Sequence, residues 1–466
     1  MEHVDFSRPC KIYFCGIGGI SMSGIAEILK DAGFDVSGSD RSESEVTDNL
    51  VKHGIRVFIG QRAENIPDDI DVAVLTAAIH EDNPEYVELR KRNIPMLSRA
   101  QLLGQMMKSY KVPIAISGTH GKTTTTSLIS QILLESGKEP TISVGGMMPS
   151  IGGNVRVGAK DYFVLEACEY TNSFLEFFPR IGVILNVEED HMDFFKDIDD
   201  IRNSFAKFAG LLPADGALVI NSAIPEYRKL TADLGCKVIT YGMEEKCADG
   251  SAPDYYPGDI SYDDMGCASF KVYRRGDLKG SVVLRIPGEH NIGNALAAIA
   301  VADECGIDND TALSALSKFT GTDRRFQYRG TTGGVRIVDD YAHHPTEIRA
   351  SLSAALKLKY NKLWVVFQPH TYSRTVAFLK DFAEALSMAD AVVLADIYAA
   401  REVNTWGISS DDIRKEIEKL GKESYYFPSF EEIEIFLLKN CIKDDLLITM
   451  GAGDVYKIGE DLLGRE

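Results

Sequence analysis

A seven-residue run between a β-type segment and a helical pattern constrains the fold more than any other feature of the sequence. The run follows the apolar residues 112–116 and precedes the helical pattern of residues 125–135. A strand, a tight glycine loop and a helix N-terminus direct several backbone N–H groups at one point, which suits a phosphate group. We therefore predict an α/β unit with a phosphate-binding loop, whose residues are Gly118, Thr119, His120, Gly121, Lys122, Thr123 and Thr124.

The side chains of this loop favour a nucleoside triphosphate. Lys122 would reach the outer phosphates, and the Thr123 hydroxyl would lie where Mg²⁺ is held. The usual P-loop has a glycine six residues before its lysine, and this chain has Ile116 there, so the loop is a shortened form. A plain glycine turn does not explain a Lys-Thr-Thr sequence at the start of the helix. We expect all seven loop residues to bind ATP.

Length and charge limit the remaining possibilities. A chain of 466 residues predicts about three domains. The net charge of −19 argues against a nucleic-acid surface, and we find no signal peptide or apolar run of membrane length. The eight cysteines include no C-x-x-C pair, a pattern typical of reduced thiols. We expect a cytoplasmic protein without nucleic-acid or membrane partners that acts as a monomer or weak dimer.

Apolar segments alternate with helical patterns, which predicts three α/β domains with boundaries near Tyr110 and Gly321. Strand candidates in domain 1–110 are residues 11–15, 35–37, 56–58, 72–75 and 95–97. Those in domain 111–321 are residues 112–116, 162–166, 181–185 and 217–220, followed by a hairpin at 259–286 and a helix at 291–305. Those in domain 322–466 are residues 335–338, 363–367, 391–394 and 446–449. The first and third domains are predicted to be Rossmann-like, and the central one to be of the P-loop ATPase type.

The turn after the first strand is close to a dinucleotide-binding fingerprint. Its candidate ligand residues are Gly16, Gly18, Gly19, Ile20 and Ser21. Asp40 ends the second strand, where an acidic residue would bind a ribose hydroxyl. NAD is the default ligand of such a motif, but the ATP-type loop in the same chain favours the diphosphate and ribose of a UDP-sugar. A glycine turn that only packs a helix against a strand would have a similar sequence.

Two acidic strand ends follow the phosphate loop. Glu166 closes a strand that should lie beside the loop, where a carboxylate can hold Mg²⁺ opposite Thr123. His191 follows the acidic residues 188–190 after another apolar strand and is a candidate second-metal ligand. An acidic strand end alone is more often a solvated loop or a helix cap, but two in one unit favour a site. We predict that Thr123, Glu166 and His191 hold metal, and leave residues 188–190 individually unassigned.

Two asparagines lie in the first turn of an alanine-rich helical pattern. Asn291 and Asn294 are three residues apart and therefore share one helix face. Their amides could contact an adenine edge, or Asn291 could simply cap the helix. The sequence leaves both alternatives open.

Polar clusters flank the strands of the third domain. Arg325 precedes its first strand, Tyr341 and His343 follow that strand, and His370 and Arg374 follow the next apolar one. The ligand crevice of an open α/β sheet lies beyond the carboxyl ends of its strands. The motifs described here contain six of the nine histidines, namely His120, His191, His290, His343, His344 and His370. We therefore predict a ligand site at this end of the third sheet.

Taken in order, these motifs resemble those of the Mur ligase family over essentially the whole chain. The resemblance implies a UDP-sugar-binding first domain, an ATP-binding central domain and an amino-acid-binding third domain. It implies that the catalytic residues are Lys122, Glu166, His191, His343, His370 and Arg374. It also implies that Asn291, Asn294 and Arg325 contact ATP, and that the amino acid is bound by Tyr341, His343, His370 and Arg374, with Arg374 pairing its carboxylate. The turn from Gly16 to Ser21 and Asp40 would bind the UDP substrate.

Within the family, the first glycine turn and residues 339–347 and 368–375 look like the member that adds L-alanine to UDP-N-acetylmuramate. This implies an ATP- and Mg²⁺-dependent ligase that proceeds through an acyl phosphate, in the first peptide-forming step of cytoplasmic peptidoglycan precursor synthesis. The alternative within the family is the ligase that recycles murein tripeptide. Two residues depart from the common pattern, since Thr371 replaces an arginine and Cys168 replaces an aspartate. Outside the family, an NAD-dependent oxidoreductase or a non-catalytic nucleotide-binding module would leave some of these motifs unexplained.

Overall fold

The N-terminal part of the described chain forms a parallel sheet covered by helices. The computed structural model describes residues 8–76, 78–246, 250–400 and 402–464. The strands of the first sheet are β1 (Lys11–Cys15), β2 (Asp35–Asp40), β3 (Arg56–Ile59), β4 (Val72–Leu75) and β5 (Met96–Ser98). They lie in the order β3-β2-β1-β4-β5, and all neighbours are parallel. The helices are α1 (Ile20–Asp31), α2 (Glu45–Lys52), α3 (Pro84–Lys91) and α4 (Arg99–Met107), with a 3₁₀ turn at Ala63–Asn65.

The central part forms a larger, mixed sheet. Its strands are β6 (Val112–Ser117), β7 (Thr141–Met148), β8 (Gly153–Arg156), β9 (Tyr162–Glu166), β10 (Ile181–Ile184), β11 (Ala217–Asn221), β12 (Lys237–Tyr241), β13 (Tyr255–Tyr262), β14 (Cys267–Arg274) and β15 (Asp277–Pro287). They lie in the order β15-β14-β13-β12-β11-β10-β6-β9-β7-β8, with antiparallel pairs only at the two edges. The helices are α5 (Lys122–Glu135), α6 (Ile198–Ala209), α7 (Tyr227–Thr231), α8 (His290–Glu304) and α9 (Asn309–Lys318), with 3₁₀ segments at Pro149–Ile151 and Tyr170–Glu176.

The C-terminal part forms a third sheet with one antiparallel edge strand. Its strands are β16 (Gln327–Thr332), β17 (Val335–Asp340), β18 (Leu363–Phe367), β19 (Ala391–Leu394), β20 (Glu423–Tyr426) and β21 (Leu446–Met450), in the order β16-β17-β21-β18-β19-β20. The helices are α10 (Pro345–Ala355), α11 (Tyr372–Ala377), α12 (Leu379–Leu386), α13 (Ser410–Lys419), α14 (Phe430–Asn440) and α15 (Tyr456–Leu462). The three-domain α/β fold class predicted from the sequence is confirmed.

Most strand predictions match within a residue or two, but the hairpin predicted at residues 259–286 is part of a three-stranded segment, β13 to β15, that begins at Tyr255. The strand predicted at residues 95–97 lies at Met96–Ser98, and α5 begins at Lys122 rather than at residue 125. The sequence analysis missed β7, β8, β12, β16 and β20. In β7 the adjacent Gly145 and Gly146 weaken the strand signal, because glycine has low strand propensity.

The first two sheets are joined by packing, whereas the third has hydrophobic clusters of its own. One cluster contains Phe14 of β1 together with Phe163 of β9. The backbone of α1 also approaches β8 closely, since a Cβ on Gly24 would lie 2.1 Å from Val155 Cγ2. The buried residues of the third sheet form separate clusters. Among the described helices, none is both long and apolar enough to cross a membrane.

Candidate active site

The phosphate loop joins β6 to α5 and is held from behind by Asn186. The Oδ1 atom of Asn186 accepts a hydrogen bond from the His120 N–H at 2.7 Å, and its Nδ2 donates to the His120 carbonyl at 3.0 Å. Gly121 has a φ of +84°, a conformation that glycine adopts without strain. A Cβ at this position would lie 2.8 Å from the Oδ1 of Asn294, so the loop also packs closely on α8. The loop is therefore fixed from two sides.

Lys122 begins α5 and forms an ion pair with Glu169. Its Nζ donates to Glu169 Oε2 and to the Thr119 carbonyl, both at 3.1 Å. Burial disfavours the charged ammonium, but the negative charge of Glu169 and its neighbours outweighs this and raises the pKa of Lys122. The lysine is therefore held as a cation beside the loop, as charge compensation of phosphates requires.

The strand that ends at Glu166 lies directly beside the strand that enters the phosphate loop, as predicted. β6 and β9 are parallel, and Ile116 is paired with Glu166. The Glu166 Oε1 accepts a hydrogen bond from the Gly145 N–H at 2.6 Å. A Cβ on the next residue, Gly146, would lie 3.3 Å from Thr123 Cγ2. Thr123 and Glu166 thus contact the same short stretch of β7, and both offer oxygen donors, which Mg²⁺ prefers.

His191 approaches the same carboxylate that pairs with Lys122. Its Nε2 is 3.8 Å from Glu169 Oε1, and its ring stacks on Tyr170 with centroids 4.4 Å apart. Burial is the main cause that lowers the pKa of His191, so the imidazole is neutral and can act as a ligand near pH 7. The carboxylate that both Lys122 and His191 approach is Glu169, a residue that the sequence analysis did not assign.

A cavity of about 510 Å³ lies between the phosphate loop, α8 and α10. Asn291 and Asn294 line it, and the Asn294 Nδ2 donates to the Asn291 Oδ1 at 2.9 Å. The Asn291 Nδ2 donates to the Pro287 carbonyl at 2.7 Å. Glu289 is the N-cap residue of α8, so the alternative that Asn291 merely caps this helix is wrong. The cavity has the size of a small-molecule site and directly adjoins the phosphate loop.

Two arginines from the C-terminal part contact the central part. The Arg325 Nη2 donates to Thr123 Oγ1 at 3.1 Å. The Arg374 Nη2 pairs with Asp190 Oδ1 at 2.9 Å, and the two side chains are only 9% and 8% exposed. Burial alone would raise the pKa of Asp190, but the adjacent Arg374 guanidinium lowers it well below its usual range. The third sheet is therefore attached to the central one by buried polar contacts at the predicted site.

His343 and His370 lie together with Arg374. The two rings are 5.7 Å apart, and the His370 Nδ1 is 3.1 Å from Arg374 Nη1. Burial lowers the pKa of His343 to about 3 and that of His370 to about 4. The His343 Nδ1 lies 3.0 Å from the Tyr341 carbonyl, which assigns the ring proton to Nδ1 and leaves Nε2 as an acceptor. Both imidazoles are therefore neutral near pH 7.

The first glycine turn has a different environment. The Asp40 Oδ2 accepts a hydrogen bond from the Gly18 N–H at 2.8 Å, so this carboxylate supports the turn itself. The Ser21 Oγ accepts a hydrogen bond from Arg99 Nη1 at 2.7 Å. Ile20 begins α1, and its side chain lies outside the described residues. Binding of a UDP substrate by this turn stays a prediction.

Three functional candidates were missed by the sequence analysis, namely Glu169, Asp190 and Glu347. Asp190 lies in the acidic segment 188–190, and Glu169 follows Glu166 by three residues, but acidic residues close together in sequence give no signal of which one turns inward. Glu347 is the N3 residue of α10, where it completes a capping box with His344. A glutamate three residues after a cap is an ordinary helix start, so this position could not be singled out.

One further group of metal-ligand side chains is present in the described part of the chain. His120, Glu188 and His344 offer ligand atoms that all lie within 4.8 Å of one another. The two ring nitrogens of His344 are already engaged, because Nε2 lies 3.1 Å from the Glu189 carbonyl and Nδ1 accepts from the Thr346 N–H at 3.3 Å. This group does not include the predicted ligands Thr123, Glu166 and His191.

Family models match the chain in three consecutive segments. The model described as "Mur ligase family, catalytic domain" matches residues 11–111, "Mur ligase middle domain" matches residues 116–302, and "Mur ligase, glutamate ligase domain" matches residues 324–453. Together they cover most of the chain.

Similar proteins cover the chain from end to end. A UDP-N-acetylmuramate–L-alanine ligase from Agathobacter rectalis is 58% identical over 100% of both chains, and one from Lachnospira eligens is 55% identical over 99% of this chain and 100% of its own. Among solved structures, UDP-N-acetylmuramate-alanine ligase MurC from Thermotoga maritima aligns with a TM-score of 0.81 and 31% identity over 98% of both chains. A murein peptide ligase from Psychrobacter arcticus shares the fold, with a TM-score of 0.73 and 24% identity over 98% of both chains.

Proposed function

The chain belongs to the Mur ligase family, and on that premise we propose that it joins L-alanine to the carboxylate of UDP-N-acetylmuramate with hydrolysis of ATP. The relatives that match it over its whole length carry that activity in their names. We further propose that residues 1–110 bind the UDP substrate, residues 111–321 bind ATP and residues 322–466 bind the amino acid. Peptidoglycan precursor synthesis is the process that such a ligase serves.

The observation that carries the proposal is the meeting of the central and third sheets at the phosphate loop. Arg325 reaches Thr123 of the loop, and Arg374 reaches Asp190 on the segment after β10. An enzyme that phosphorylates one substrate and then delivers a second needs its nucleotide loop and its acceptor site within one enclosed volume. Contacts of this kind support a ligase over a nucleotide-binding module without catalysis.

Activation of the carboxylate is the first step of the proposed reaction. A carboxylate oxygen of UDP-N-acetylmuramate attacks the γ-phosphorus of ATP, and ADP leaves, which gives an acyl phosphate. Lys122 and Arg325 place positive charge beside the transferring group, where two anionic reactants would otherwise repel each other. Mg²⁺, held by Thr123 and Glu166 with His191 at a second position, would supply further charge neutralisation when bound.

Amide formation is the second step. The amine of L-alanine attacks the acyl carbon, and phosphate leaves after a tetrahedral intermediate. Arg374 would pair with the alanine carboxylate, a geometry that arginine favours. His343 and His370 are neutral near pH 7, so either can accept the proton that the attacking amine loses. Asn291 and Asn294 would contact adenine in the cavity beside the loop.

The experiment that tests this function measures phosphate release by the purified protein with ATP, Mg²⁺ and UDP-N-acetylmuramate. We expect release that requires both UDP-N-acetylmuramate and L-alanine, with a product heavier by one alanyl residue. Release only when the murein tripeptide replaces alanine would assign the chain to the recycling reaction instead. No release with either acceptor would contradict the proposal.

A further inference from the structure

Glu347 connects the phosphate loop to the candidate amino-acid site through its two carboxylate oxygens. Its Oε1 lies 3.3 Å from Nδ1 of His120, in the loop between β6 and α5. Its Oε2 accepts a hydrogen bond from the backbone N–H of His343 at 3.0 Å and lies 3.3 Å from the Nδ1 of the same residue. Glu347 itself belongs to α10 of the third sheet. A single side chain therefore spans the boundary between the central and C-terminal parts.

We propose that Glu347 is a positioning residue that couples the phosphate loop to His343 and helps to dock the third domain on the central one. We refer to His120, Glu347 and His343 as the Glu347 bridge. The role of His343 in this proposal rests on the proposed function, whereas the docking role rests only on contacts of the described residues.

A second carboxylate strengthens the contact at His120. The Glu188 Oε2 lies 3.5 Å from His120 Nε2 and accepts a hydrogen bond from Thr346 Oγ1 at 2.8 Å. Glu188 follows β10 of the central sheet, while Thr346 lies in α10 beside Glu347. The imidazole of His120 is thus placed between two carboxylates, one from each side of the boundary. Such an arrangement binds the protonated ring and tightens when the two sides come together.

Protonation of His120 is linked to this docking. Burial opposes the charged ring, but Glu188 and Glu347 outweigh it and raise the pKa of His120 to about 9. His344, whose ring centroid is 4.7 Å away, and His290 also face this group, and both are neutral near pH 7 because burial lowers the pKa of each to about 4. With the third domain undocked, the pKa of His120 would return towards its usual 6.5. The proton therefore stabilises docking fully below about pH 6.5, and this contribution is lost as the pH rises through about 9.

The other end of the bridge fixes a candidate proton acceptor. Glu347 Oε2 contacts both the backbone N–H and the Nδ1 of His343, so it helps to keep the ring proton on Nδ1 and the acceptor nitrogen Nε2 free. Loss of the charge at Glu347 would loosen this orientation, and it would also weaken the contact with His120 of the phosphate loop. We therefore expect the variant to be impaired mainly in its reaction with alanine.

The main test is Glu347→Gln, which keeps the size of the side chain and its hydrogen-bonding capacity but removes the charge. We expect kcat/KM for alanine to fall about 10- to 100-fold, with a smaller rise in the KM for ATP because Glu347 also contacts His120 of the phosphate loop. The matched control is Glu432→Gln, because Glu432 is the exposed N3 residue of α14, donates its backbone N–H to the side chain of the cap residue Ser429, and lies outside the site. An unchanged kcat/KM for alanine in Glu347→Gln would overturn the proposal.

A double-mutant cycle separates coupling from two independent defects. His120→Asn and the combined His120→Asn/Glu347→Gln variant complete the cycle. We expect the double variant to be hardly worse than the more impaired single variant, because both changes break the same contact. We expect the activity of the wild type to decline near pH 9, as His120 loses its proton, and each variant to flatten this decline. Strictly additive losses, or an alkaline limb that all variants retain, would contradict the bridge.

Docking is measured independently of catalysis by small-angle X-ray scattering on the full chain without substrates. We expect the radius of gyration to increase in both single variants at pH 7, and in the wild type on going to pH 9.5, while Glu432→Gln stays compact. If the wild type makes no product but the variants expand, the proposed function fails and the docking role stands. If the wild type makes product and no variant expands or loses activity, the bridge fails and the proposed function stands.

Discussion

The two glycine turns of this protein have similar sequences but very different surroundings. Two residues of the C-terminal part contact the phosphate loop, since Arg325 donates to Thr123 and Glu347 lies beside His120. Asn186 holds the backbone of the loop. The first turn is contacted by Arg99 from its own α/β unit, through Ser21. A strand–turn–helix signal therefore identifies a place where an anion can bind, whereas the chemistry of the place depends on residues that come from distant parts of the chain.

Removal of the lysine of the phosphate loop should give the largest effect. We expect Lys122→Ala to lower turnover by about 1,000-fold or more, because the cation beside the transferring phosphate is lost. The measurement is phosphate release under saturating substrates, with circular dichroism to verify the fold. Lys111→Ala is the control, since Lys111 precedes the same strand, is exposed and forms an ion pair with Asp161 at the surface. Activity near that of the wild type would remove Lys122 from the reaction.

A matched pair of glycine substitutions compares the two turns directly. A Cβ on Gly121 would lie 2.8 Å from Asn294 Oδ1, and one on Gly18 would lie 2.8 Å from Asp40 Oδ2. Gly121 also has a positive φ, so Gly121→Ala adds backbone strain. We expect Gly121→Ala to lower kcat/KM for ATP by about 100-fold and Gly18→Ala to raise the KM for UDP-N-acetylmuramate by about tenfold. If Gly18→Ala impaired ATP instead, the two turns would not have separate ligands.

Arg374 tests the part of the site that the third domain supplies. We expect Arg374→Ala to raise the KM for alanine by about 30-fold, with little change for ATP, because a charge-assisted contact to the carboxylate is lost. The substitution also leaves Asp190 buried without its partner. The double variant Arg374→Ala/Asp190→Asn removes that complication, and Arg349→Ala is the exposed arginine control. An unaltered KM for alanine in both Arg374 variants would exclude this role.

The smallest expected effect is on stability as a function of pH. Burial lowers the pKa of His290, His344 and His370 to about 4 and that of His343 to about 3, so the unfolded chain binds more protons than the folded one below pH 6.5. The free energy of unfolding should therefore fall as the pH drops from 6.5 to 4. We expect His343→Asn to reduce this slope in urea titrations at several pH values. The same slope in the variant and the wild type would contradict a buried neutral His343.

The sequence predicted the fold and the places of the loops well, because alternating apolar segments and glycine turns are local signals. It assigned Lys122 and His191 to one site, and both approach Glu169 in the structure. It put Asn291 and Asn294 on one helix face, and both line the cavity beside the phosphate loop. It missed Glu169 as the partner of Lys122, Asp190 as the partner of Arg374, and Glu347 as the partner of His120. Each of these contacts joins residues that are far apart in the chain, and their ion pairs depend on the packing of whole sheets. No local spacing records such a contact.

The most direct test of the account follows one oxygen atom from the first substrate to the product phosphate. UDP-N-acetylmuramate labelled with ¹⁸O in its carboxylate is incubated with ATP, Mg²⁺, L-alanine and the protein, and the phosphate is analysed by mass spectrometry. If the carboxylate attacks the γ-phosphorus at the phosphate loop before alanine displaces phosphate, each phosphate carries one ¹⁸O atom from the substrate. Amide product accompanied by unlabelled phosphate would contradict an acyl-phosphate intermediate. It would also contradict a reaction in which the substrate of the first glycine turn is phosphorylated by the ATP at the phosphate loop.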